Sequence, residues 1–150
     1  MPKINRIAHF SIPVSDMDRS VKFYTEVVGC TLIRSSPDQT FLDAGGTCIL
    51  LCLQNEPVNR SDQFDYVHHA FDIGPEQYSR IDEHLGKHGV ETLYSEDRSG
   101  GTVNGPRTYF RDPDGTRLEF IHLTSYDPTP GTNSKITPIK GEPSAREPVR

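Results

Sequence analysis

From Arg6 to Val14 the chain reads RIAHFSIPV, an alternation of apolar and polar positions that predicts a half-buried strand. The next apolar positions change period. Met17, Val21, Tyr24 and Val28 recur at helical spacing, so an amphipathic helix follows, with Ser15 expected as N-cap, Asp18 completing a capping-box variant, and Gly29 as the stop. Three short strands are expected near 30–35, 39–44 and 47–54, the last two joined by the turn Asp43-Ala44-Gly45-Gly46. A polar linker from Asn55 to Gln63 leads to a second strand-like run, Tyr66–Ile73. Gly74-Pro75-Glu76 then opens a second helix carrying Tyr78, Ile81 and Leu85 and ending at Gly89. Strands are expected near 90–94, 106–111 and 116–123, with Asp112-Pro113-Asp114-Gly115 turning into the last.

The second half repeats the order of the first. Placing His9 on His68 lays AHFSIPV over VHHAFDI, and Gly29 then falls beside Gly89. The Gly-rich stretch Arg98–Pro106 is an insertion in the second copy. A duplicated βαβββ unit is the economical reading: an α+β fold of two modules, about 5–54 and 65–123, in one domain spanning 1–123. One helix and a short sheet cannot close a core alone, so the modules must pack together, and the concave faces of their sheets are expected to form a cup. Residues 124–150 hold five prolines and few large apolar groups, and read as a C-terminal arm or a disordered tail, an arm being expected to pack in cis or on a neighbouring subunit.

Charge and cysteine content narrow the function classes. The chain has 150 residues and a formal net charge of −5, with its Lys and Arg scattered singly, which disfavours nucleic acid as a partner. No apolar run approaches the roughly 20 residues of a membrane span, and MPKINRIAHF lacks a signal-peptide core, so a cytoplasmic location is expected. The three cysteines, Cys30, Cys48 and Cys52, form no CxxC pair and read as free thiols in a reducing compartment.

The chemistry centres on three residues. His9 and His68 occupy equivalent strand positions in the two modules. Glu119 sits in TRLEFIH between Leu118 and Phe120, and a carboxylate so closely flanked by core residues needs a partner, because burying an unpaired charge is costly. A divalent ion shared with two imidazoles would supply one and leave coordination sites open. Leu50 holds the position in the first module that matches Glu119, so three protein ligands are expected, with water or substrate filling the rest. Of the other histidines, His69 alternates to the opposite side of its strand and reads as packing or surface. His84 and His88 read as a solvated helix face, and His122 shares no face with Glu119.

With these residues in place, the chain resembles the vicinal oxygen chelate superfamily, which includes glyoxalase I, extradiol dioxygenases, fosfomycin-resistance enzymes and bleomycin-resistance proteins. The resemblance covers about residues 5–123 and rests on RIAHFSIPVSDMDRSVKFYTEVVGCTLI, HHAFDI and GPRTYFRDPDGTRLEFI. It implies His9, His68 and Glu119 as metal ligands, with Fe(II) the first candidate and Zn, Mn, Ni or Co the others. It also implies a small-molecule substrate with vicinal oxygens and a homodimer. Tyr109, ten residues before Glu119, matches an active-site Tyr of the extradiol and fosfomycin enzymes. Arg107, two residues earlier on the same strand, could steady an anionic group, and Ser11, two residues from His9, points into the same cup. Glyoxalase I-like enzymes carry a second Glu where this chain reads CILLCLQ. The extradiol His before Tyr109 has no counterpart in 100–104, and no Lys or Arg follows Arg117 before Lys135 to hold a phosphonate. Dioxygenase-like chemistry is the first expectation. The alternatives are a glyoxalase- or fosfomycin-resistance-like lyase or transferase, or a non-catalytic drug-binding protein, against which the metal triad argues.

Overall fold

The alternating run after Arg6 forms strand β1, His9–Val14, whose Ile12 and Val14 are buried while His9 and Ser11 face outward. The structure, a computed structural model, describes residues 4–55 and 67–127. Helix α1, Met17–Glu26, buries Met17, Ser20, Phe23 and Tyr24 along one stripe. Its N-cap is Asp16, which accepts from Arg19 N at 3.0 Å, and not the expected Ser15. The reason is long-range: the backbone N–H and hydroxyl of Ser15 are both engaged by Asp114, 99 residues further on. Strands β2 (Thr31–Ser35), β3 (Gln39–Ala44) and β4 (Thr47–Leu53) complete the first module. The sheet order is β1-β4-β3-β2, with β1 parallel to β4.

The second module repeats this with β5 (His69–Asp72), β6 (Tyr94–Arg98), β7 (Val103–Arg111) and β8 (Arg117–Ile121), ordered β5-β8-β7-β6 with β5 parallel to β8. Its expected single helix is two pieces, α2 (Pro75–Tyr78) and α3 (Ile81–Lys87). The strand expected at 90–94 begins only at Tyr94, because the pairing of Glu96 with Arg107 and Tyr94 with Tyr109 sets its register. Of the C-terminal arm, Ser125–Tyr126 forms β9 against Val103 and Asn104 of β7, and 128–150 lie outside the described residues, as do Tyr66 and 56–65 in the linker region.

The inner faces of both sheets share one apolar cluster with the helices. Ile12, Leu42, Ile49 and Leu51 of the first sheet meet Phe110, Leu118 and Phe120 of the second around Phe23, Tyr24, Ile81 and Leu85. Three contacts fasten this seam: Phe10 stacks on His69 with ring centroids 4.8 Å apart, Tyr24 Oη donates to the buried Asp112 at 2.8 Å, and Arg19 pairs with Asp114 at 2.8 Å. Within one chain the two sheets remain separate and share their inner, helix-bearing faces, so their outer faces point away from the common core. Among the described residues, no helix is long and apolar enough to cross a membrane.

Candidate metal centre

The outer face of the second sheet is where the polar residues gather. On β8, Leu118 and Phe120 enter the core, so alternation sends Arg117, Glu119 and Ile121 to the other face. On β7 the same alternation places Arg107, Tyr109 and Arg111 there, and on β6 Tyr94, Glu96 and Arg98. Cross-strand register lines up Tyr94, Tyr109, Glu119 and Ala70 as one row.

Glu119 is 1% exposed, and His68 Nε2 lies 3.0 Å from its Oε2. Among the described residues Oε2 makes no regular hydrogen bond, in a buried setting where most carboxylate oxygens have one. Two donors sharing one divalent ion at bond lengths of about 2.0–2.2 Å, roughly at right angles, would sit about 3 Å apart. The spacing and the vacant Oε2 therefore fit a carboxylate and an imidazole on one cation better than they fit a simple ion pair. Burial alone would raise the Glu119 carboxyl. The close approach of His68 and Tyr109 and the charge of Arg107 outweigh it, and the group is held below the ordinary carboxylate range.

Tyr109 packs edge-on to the His68 ring at 5.3 Å, and its hydroxyl is 3.5 Å from Glu96 Oε1. Burial, reinforced by the neighbouring Glu119, pushes its phenol far above the usual tyrosine value, so at neutral pH Tyr109 is a hydrogen-bond donor and not a phenolate base. Arg117 lies over the rings of Tyr94 and Tyr109, 5.0 and 4.7 Å from their centroids, and donates to the Tyr94 hydroxyl.

The sequence-derived residues divide between the two modules. His68, Glu119, Tyr109 and Arg107 share one face. His9 and Ser11 are exposed on the outer face of the first sheet, beside Cys48 and Leu50 in register. Phe10 and His69 stack at the seam, and His9 does not join His68 and Glu119 within one chain. Among the described residues no three His, Cys, Asp or Glu side chains come together to hold an ion. One chain by itself thus brings together two of the three residues expected as ligands, His68 and Glu119, without His9.

Arg107 is not a surface arginine: it is 4% exposed, donates to Val103 O at 2.9 Å and Gly105 O at 3.3 Å, and turns Nη1 to within 3.7 Å of Glu119 Oε1. His84 is also corrected. It is not a solvated helix residue, because α3 seats against the end of α1 and brings His84 Nε2 2.8 Å from Val27 O. Sequence reasoning missed Tyr94, Glu96 and Arg117. The signal was available in YSEDR, whose alternate positions carry Tyr, Glu and Arg opposite the alternation of RTYFR.

Comparison with known proteins agrees with this fold. The model of the Glyoxalase/Bleomycin resistance protein/Dioxygenase superfamily matches residues 6–120. The metallothiol transferase FosB of Shouchella clausii is 33% identical over 116 residues, covering 77% of this chain and 79% of its own. The glutathione transferase FosA of Serratia marcescens is 30% identical over 125 residues, covering 81% and 83%. The structure of the fosfomycin resistance protein FosX from Listeria monocytogenes with Mn(II) and sulfate superposes with a TM-score of 0.66 at 24% identity, covering 79% of this chain and 90% of that one. FosB and FosA are enzymes by name, in line with an enzyme here over a pure binder. These relatives are transferases and resistance proteins, so the alternative reading stands ahead of the dioxygenase chemistry expected first. The duplicated modules, the shared face of polar residues and these matches agree: the chain belongs to the glyoxalase/bleomycin resistance protein/dioxygenase superfamily.

Proposed function

We propose that this protein is a metal-dependent transferase of the fosfomycin-resistance type, adding a thiol to a small anionic molecule that offers neighbouring oxygens. The observation that carries it is the buried Glu119–His68 pair, with an unsatisfied carboxylate oxygen beside an imidazole nitrogen at 3.0 Å. His68 and Glu119 would hold a divalent ion, and Mn(II), bound by the FosX relative, is preferred here to Fe(II). The third ligand in this reading is His9 of a second copy. An isologous homodimer would lay the outer face of one first sheet over the outer face of the other's second sheet and build two equivalent sites.

When bound, the ion would supply Lewis-acid polarisation of a substrate oxygen. The chain's own residues do the rest. Tyr109 turns its single O–H proton from Glu96 to that oxygen as charge develops on it. Ser11, carried with His9 into the cup, offers a hydroxyl to the substrate's polar edge. Positive charge over the face comes from Arg117 on β8, which lies over the rings of Tyr94 and Tyr109, and not from the residues after Glu119. This answers the absence of a basic residue there and favours an anionic substrate. The test uses fosfomycin, an epoxide-bearing phosphonate. Protein loaded with Mn(II) is incubated with fosfomycin and glutathione or another low-molecular-weight thiol, and the adduct is sought by mass spectrometry. Sulfur bonds to a ring carbon, the ring C–O bond breaks, and the oxygen takes up the thiol's proton. Metal-dependent adduct that disappears with Glu119→Gln supports the reading. No adduct with any thiol, despite bound Mn(II), defeats it.

A further inference from the structure

One residue outside the ligand set gathers the groups that face it. Glu96 Oε1 lies 2.9 Å from Arg98 Nη2, 3.5 Å from the Tyr109 hydroxyl and 4.0 Å from Arg107 Nε, and its side chain is 15% exposed. Arg107, its cross-strand partner, is fixed by two backbone carbonyls and extends its remaining nitrogen towards Glu119. Tyr109 and Arg107 thus both stand between two carboxylates, with Glu96 behind and Glu119 in front. An arginine held this way has no freedom to turn towards a substrate.

We propose that Glu96 is a positioning residue. It anchors the Tyr109 hydroxyl and the Arg107 guanidinium, and through them fixes the rotamer of the Glu119 carboxylate. Arg107 in turn acts on Glu119 and not on the substrate. The logic is that of groups behind a metal ligand, whose loss typically costs about 10–100-fold in metal affinity or activity. Glu96 lies at the weak end, since it works through other side chains. Its removal also withdraws a negative charge from the neighbourhood of a cation.

This inference rests on the metal-binding reading above, and the experiment separates the two. Mn(II) binding is titrated on the full chain by electron paramagnetic resonance of the free ion, for the parent, Glu96→Gln, Glu96→Asp and Arg98→Gln, with circular dichroism and Tm recorded on each. The expected result is a roughly 3–10-fold loss of Mn(II) affinity for Glu96→Gln with the parent's spectrum. Glu96→Asp, which keeps the charge and shortens the reach, should recover only part of the affinity. Arg98→Gln, altering a group 36% exposed at the rim, should stay within about twofold. In the thiol-transfer assay, Glu96→Gln should lower kcat more than it raises KM, and in a Tyr109→Phe background only the smaller part carried by Arg107 should remain. Parent protein that binds no Mn(II) sinks the functional reading. Parent that binds it, with Glu96→Gln and Glu96→Asp both within twofold of it, sinks this inference alone. Should Glu96→Gln unfold, full affinity in a folded Glu96→Asp chain overturns it equally, because charge without reach would then suffice.

Discussion

The two modules share a topology and differ in what their outer faces hold. Strands β1 and β4 present His9, Ser11, Cys48, Leu50 and Cys52, all at least partly exposed. Strands β7 and β8 present Arg107, Tyr109, Arg117 and Glu119, all buried and charged or polar. Duplication therefore preserved the inner faces, which make one apolar core, and left the outer faces to diverge. The second module became a polar wall around a carboxylate, and the first kept one imidazole on an open apolar surface. A metal centre drawing on both needs them brought together from outside the chain's own core.

The largest expected effect breaks this asymmetry at its centre. Glu119→Gln should lower Mn(II) affinity by more than the roughly 100-fold upper range for losing an outer partner. Leu50→Ala, at the matching place in the first module, should leave it nearly unchanged; Mn(II) titration checks both. Glycine turns offer a second contrast. Gly105 has φ +131°, and a Cβ there would collide with the His122 carbonyl, so Gly105→Ala should destabilise by about 2–4 kcal/mol. Gly46 has φ +92° but open space around it, so Gly46→Ala should cost only about 1–2 kcal/mol. Urea unfolding of the two variants measures the difference.

The seam comes next. Tyr24→Phe removes a buried hydrogen bond to Asp112, which keeps bonds from Thr116 N at 2.7 Å and Asp114 N at 3.0 Å, so a loss of about 1–2 kcal/mol is expected. The smallest effect is one of pH. Burial would raise the Asp114 carboxyl, but hydrogen bonds from Ser15 and the charge of Arg19 hold it below the ordinary value. Its contribution is therefore present above its unfolded pKa, near 3.9, and lost as pH falls through the lower folded value. Asp112, raised mainly by burial, runs the other way: its contribution is present below that unfolded pKa and lost as pH rises through the folded value. Urea midpoints of Ser15→Ala and the parent should differ at pH 6 and converge towards pH 3. A constant gap across that range would contradict the assignment.

Much of this was legible before the fold was seen. Period-two runs at Arg6–Val14 and around Glu119 and the stripe from Met17 to Val28 depend on nearby residues, so the elements and the candidate ligands could be read directly. What could not be read depends on partners far along the chain. Asp114 takes Ser15 out of its capping role. The pairing of Tyr94 with Tyr109 shifts a strand from 90–94 to Tyr94–Arg98 and turns a polar run into the wall behind the candidate site. The sharing of inner faces, which leaves His9 apart from the His68–Glu119 pair, is a property of how two sheets close on one set of helices, and no local pattern encodes it.

The central claim is that His9 of one copy completes a site with His68 and Glu119 of another. Two variants, His9→Ala and Glu119→Gln, each lose Mn(II)-dependent activity on this account. Mixed after mild unfolding and refolded together, they should regain about a quarter of the parent's activity, because each mixed dimer holds one site with all three native ligands. Mixtures that stay as inactive as the separate variants, although mixed dimers form, would contradict it.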